Sequence, residues 1–101
     1  MPYIKEERRR ILDVGFGQLL DAFFALEPLN KGRDDESYVT DGDVNYVITR
    51  LIDRMYGGRF SHYEMMNRGL GVLEAVKLEF YRKRVAPYEN VKCHENGEVF
   101  D

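Results

Sequence analysis

The sequence contains no tryptophan, three prolines and a single cysteine. One thiol excludes an internal disulfide, and Cys93 beside His94 lacks the spaced partners that a zinc site needs, so Cys93 reads as structural. No apolar run approaches the roughly 18 residues that a helix needs to cross a bilayer. The opening MPYIKEERRR puts charge where a signal peptide carries its apolar stretch, so we expect a cytoplasmic chain that engages no membrane. Positive charge is also in deficit. Fifteen Lys and Arg against 18 Asp and Glu give a formal charge of −3, which removes the bulk positive potential that non-specific DNA binding requires.

What is present is apolar material for one modest core. The 101 residues fit a single domain (1–101), and 44% apolar residues with seven Tyr and six Phe exceed what a disordered chain carries. In residues 5–27, Leu12, Phe16, Leu19, Leu20 and Phe23 recur at steps of three and four, the signature of one helix face. Pro28 ends it. Gly15 and Gly17 each cost about 1 kcal/mol in a helix interior. They imply either close approach of another backbone or a later helix start.

Residues 28–41 have no sustained period and hold Asp34, Asp35 and Glu36, so we expect a mobile, solvated acidic loop. The alternating ligands and glycine of a calcium loop are absent. The second helix is the most regular: Val44, Val47, Ile48, Leu51, Ile52 and Met55 follow the helical repeat without a miss. Thr40 or Asp41 is its expected N-cap, and Gly57-Gly58 its stop. Asn45 falls just outside the stripe, in a column with Thr49 and Tyr56.

Ser61 with Glu64 fits a capping box opening a third, longer helix to about Arg84, which Gly69 and Gly71 would kink or break. Its stripe is Met66, Leu70, Leu73, Val76 and Phe80. Pro87 is expected to forbid continuation. Residues 86–101 then form a tail, with Asn96-Gly97 as the turn of a short β-hairpin, weakened by Glu95 opposite Glu98, or an extended segment. The fold class is therefore mainly α: a three-helix bundle with a long third helix and a short C-terminal hairpin or tail.

One charge breaks the pattern. Lys77 lies in the middle of the arc of Leu70, Leu73, Phe80 and Tyr81, where spacing calls for an apolar residue. A buried ammonium needs a partner. Glu74 and Tyr81 lie one turn to either side, and Asn45 would flank the same crevice if the two stripes pack. The four define a candidate site for a small anionic ligand, weighed against the more ordinary reading of a Lys stem lying over apolar surface with its charge in water. Arg8-Arg9-Arg10 and Arg82-Lys83-Arg84 do not make single patches, because neighbouring helix residues point in different directions.

No metal-binding pair, phosphate-cradling glycine loop or nucleophile-base set is present, and Glu74 and Glu79 lie on different helix faces. The expected cofactor set is empty. His62 and His94 read as solvated side chains.

The words MPYI, GDVNYVITRL, GVLEAVKLEFYRKRVAPYEN and ENGEVF resemble a family of short bacterial and bacteriophage proteins of unknown function. The resemblance spans nearly the whole chain and implies no catalytic residue. It places Asn45, Glu74, Lys77, Tyr81, Arg82, Pro87, Tyr88, Asn96 and Gly97 inside the matching words.

We expect a non-catalytic binding or interaction module. Thirteen aromatics, with Met65 and Val72 opposite the main stripe of the third helix, exceed what a small bundle core uses and point to a homodimer. The partner classes are a second copy, a small anionic ligand or another protein. The alternatives are a metal-dependent nucleotide or phosphate-ester hydrolase, with Glu64 and Glu74 as cation ligands, and a nucleic-acid accessory protein using Arg82 and Arg84.

Overall fold

The computed structural model describes residues 2–30 and 38–100. The acidic cluster Asp34, Asp35 and Glu36 lies outside them. Helix α1 (Glu6–Phe24) is followed by a short 3-10 turn (Glu27–Asn30). Helix α2 (Asp41–Tyr56) then leads to α3 (Tyr63–Phe80), which continues through a wide turn (Tyr81–Val85) into α4 (Ala86–Asn96). Among the described residues there is no strand.

Local chemistry explains most boundaries. Thr40 caps α2: its hydroxyl accepts from the Asp43 N–H at 3.1 Å, and the Asp43 carboxylate accepts from the Thr40 N–H at 2.8 Å. This reciprocal pair satisfies two donors that a helix start leaves open. The Gly57 N–H closes the other end on the Asp53 carbonyl at 2.8 Å. Helix α1 stops at Phe24, with Ala25 donating to the Asp21 carbonyl and Pro28 held in the 3-10 turn beyond it.

Three expectations are corrected. The Ser61–Glu64 capping box does not form: α3 starts after His62, which makes no side-chain cap bond, while the Ser61 N–H closes a turn on the Gly58 carbonyl at 2.8 Å. Pro87 does not stop the helix. Ala86, just before it, is helical (φ −60°, ψ −44°), and its N–H reaches back five residues to the Tyr81 carbonyl. That wider turn relieves the clash a proline ring makes with the carbonyl four residues earlier, where its missing N–H would have bonded. The third expectation is the C-terminal hairpin, which is absent because residues up to Asn96 stay helical. Gly97 adopts φ +96° and donates to the Cys93 carbonyl at 2.8 Å, so Asn96-Gly97 ends a helix instead of turning two strands.

Packing is sparse. Helices α2 and α3 meet near their shared bend, α3 runs directly into α4, and α1 lays no face along another helix. Instead α1 is tethered at its ends. Before it, the Tyr3 hydroxyl donates to Glu79 on α3. After it, the Phe24 ring stacks on Tyr38 with centroids 4.5 Å apart, and the Asn30 amide donates to the Tyr38 carbonyl. Gly69 is the one buried residue among those described, and no apolar side chain is buried. The radius of gyration is 17.8 Å, against about 13 Å for a compact chain of this length. The accessible surface is 9532 Å², against about 6,000 Å² for a folded monomer of this mass.

Candidate functional site

The stripe of α2 that makes it a helix also builds a broad concavity against α3. Val44, Ile48 and Ile52 face Met66, Leu70 and Leu73 across an open groove of about 800 Å³, with Tyr56 at its closed end. Its polar lining is Asp41, Asn45, Thr49 and Asp53. Leu70 is 64% exposed and Ile48 42%, large values for residues that fix the period of their helices. The helices approach closely at one point, where the Tyr56 ring lies over Gly69; a Cβ there would sit 3.0 Å from the Tyr56 Cβ. Gly69 therefore marks a close approach, not a kink.

The four residues of the expected ligand site are placed as follows. Lys77 Nζ lies 3.6 Å from the Glu74 carboxylate, and both side chains are well exposed, at 73% and 58%. Tyr81 donates to Glu89 at 2.5 Å, and this contact pushes its phenol pKa up. Asn45 accepts from the Thr49 hydroxyl at 2.8 Å on its own helix. The fold thus brings Lys77 and Glu74 together. Asn45 lines the groove while Glu74, Lys77 and Tyr81 do not.

A different cluster joins the N-terminal segment to the end of α3. Glu79 accepts from Tyr3 and from Arg82, whose guanidinium reaches both carboxylate oxygens at 2.7 and 3.0 Å. The Tyr3 hydrogen bond, followed by that from Arg82, holds the Glu79 carboxyl below its ordinary range, and the same contact raises the Tyr3 phenol. No local signal announces this cluster, since Tyr3 and Glu79 are 76 residues apart. Arg82, which the nucleic-acid alternative would use, is engaged by a carboxylate.

Near the C-terminus, the Cys93 thiol donates to Glu98 at 3.2 Å, which raises its pKa and keeps it in the poorly nucleophilic thiol form. Glu98 is lowered by the Phe100 N–H, then by Cys93 and the Val99 N–H. Among the described residues no group of three or more His, Cys, Asp or Glu side chains is placed to hold a metal ion, and no helix is long and apolar enough to cross a membrane.

A family model described as Domain of unknown function (DUF6899) matches residues 1–99. The chain belongs to this family. No curated protein and no solved structure gives a significant match. The family assigns no activity, so the geometry alone must argue for one.

Proposed function

We propose that the protein is a non-catalytic interaction module that completes its fold as an obligate homodimer in a bacterial or phage cytoplasm. One observation carries the reading: a chain with three strongly patterned helices buries no apolar side chain among its described residues. Hydrophobic burial is the main favourable term in folding, at roughly 25 cal/mol per Å² of apolar surface. Without it the conformational entropy of ordering the chain is not offset. The apolar faces of α1, α2 and α3 therefore serve as contact surfaces.

The experiment is light scattering on the purified chain, combined with thermal unfolding at several concentrations. We expect a mass of two chains and a melting temperature that rises with concentration, as required when folding and association are one equilibrium. A folded monomer whose melting temperature does not depend on concentration overturns the reading.

A further inference from the structure

Among the described residues the α2–α3 groove and the α1 face are both unpartnered, and their dimensions match. The α1 stripe from Leu12 to Phe23 and the α2 stripe from Val44 to Met55 each span about 17 Å of helix axis. Leu12 is 61% exposed and Phe16 57%. Charge also fits. The charged residues lining the groove, Asp41 and Asp53, are both acidic, while Arg8 continues the α1 stripe one turn before Leu12 and its side chain makes no hydrogen bond or ion pair among the described residues.

Within one chain α1 is held away from the groove. Pro2 shares a cleft with Ala75 and Glu79, and Tyr3 is bonded to Glu79. At about 100° per residue, Ala75 lies roughly 170° around α3 from the groove line of Met66, Leu70 and Leu73. The chain enters α1 from the back of α3, only three residues before Glu6, and leaves it through the Phe24–Tyr38 stack. Gly15 flanks the α1 stripe, yet nothing among the described residues comes within 4 Å of where its Cβ would be. A helix-interior glycine costs about 1 kcal/mol relative to alanine. Close approach by a second helix gives that cost a reason.

We infer that α1 of each protomer seats its Leu12–Phe23 face in the α2–α3 groove of a second copy, reciprocally about a two-fold axis. The inference rests on the homodimer reading above and adds which surfaces meet. The surface in excess of a compact monomer is about 3,500 Å² per chain, or about 7,000 Å² for two, more than enough for an obligate homodimer interface, which buries roughly 2,000–5,000 Å² or more in total. Reciprocal seating covers both unpartnered faces in each chain, as a closed two-fold contact requires.

The test uses two differently tagged, co-expressed chains, both Cys93→Ser, one carrying Phe16→Cys and the other Ile48→Cys. Both positions are central in their stripes, so the result does not depend on helix direction. A short bismaleimide is expected to link the two tags covalently, with at least a tenfold lower yield when Arg50→Cys, on the outer face of α2, replaces Ile48→Cys. A dimer by light scattering that gives no 16–48 link overturns the seating while leaving the homodimer intact. Efficient 48–48 linkage means α2 of the partner fills the groove, and a 16–48 link confined to one chain in a double variant means α1 folds back; either result overturns it. A monomer overturns both readings. Isotope-filtered contacts between Phe16 and Ile48 in a mixed-label, unmutated sample provide the same decision without substitutions.

Discussion

The Tyr56 ring of α2 rests on the backbone of Gly69 in α3, with Cβ, Cγ and Cδ2 all 3.0–3.3 Å from the point where a side chain at Gly69 would begin. This contact sets the angle of the α2–α3 pair and therefore the width of the groove. An alanine there gains about 1 kcal/mol in helix propensity and loses a comparable amount to displacement of the ring. We expect Gly69→Ala to be close to neutral and Gly69→Val to cost about 1–3 kcal/mol in urea unfolding. At Gly71, where nothing among the described residues lies within 4 Å of an added Cβ, Gly71→Ala should stabilise by about 1 kcal/mol.

The Thr40–Asp43 pair acts as one unit. Thr40→Ala should cost about 1 kcal/mol, Asp43→Ala a similar amount, and the double variant less than their sum, because each single change already breaks the reciprocal bonds. A double-mutant cycle by chemical denaturation checks this.

Ile48 sits in the groove and Arg50 on the outer face of the same helix, where it reaches the Tyr46 hydroxyl at 3.2 Å. A charge at Ile48 must be desolvated if the groove is filled. Ile48→Asp should therefore dissociate the dimer in sedimentation, raising the dissociation constant at least a hundredfold. Arg50→Asp should change it less than tenfold.

The Tyr3–Glu79–Arg82 cluster should be a pH-dependent latch. Glu79 is depressed, so its contribution is present above its unfolded pKa of about 4.3 and is lost as pH falls through the lower folded value. Tyr3 is raised, so its contribution is present below about pH 10 and is lost as pH rises through the higher folded value. Carboxyl NMR titration of the Tyr3→Phe variant should show the Glu79 pKa moving up, because the phenol is its largest perturbation.

Lys77 and Glu74 form an exposed pair, and such pairs contribute little after solvent screening. Lys77→Met should leave stability within about 0.5 kcal/mol of the parent. Loss of response to small anions in that variant, measured by calorimetry, would identify Lys77 as a ligand contact and not a structural one.

The helices were legible wherever a signal was local. Thr40, one of two expected N-caps, the α2 stripe and the Gly57 stop each act within a few residues, and the chain folds as they dictate. Signals with two physical outcomes were misread. Asn96-Gly97 offers a positive φ, which serves a hairpin turn and a helix end equally well, and helical register upstream decided between them. Pro87 removes a hydrogen bond, which a helix answers by stopping or by widening, and the Ala86 to Tyr81 bond shows it widened. At Ser61, the turn to Gly58 competed with the cap and won.

The sequence by itself determined three amphipathic helices, the two ends of α2 and the exclusion of an internal disulfide and of a membrane-spanning helix, because these follow from periodicity and composition over short stretches. Only the tertiary structure decided that Tyr3 is tied to Glu79, that Tyr56 lies on Gly69, and that the stripes of α1 and α2 do not pack together within one chain. A repeat pattern specifies which face of a helix must be covered. The covering surface is a long-range property, and a one-dimensional pattern carries no record of it.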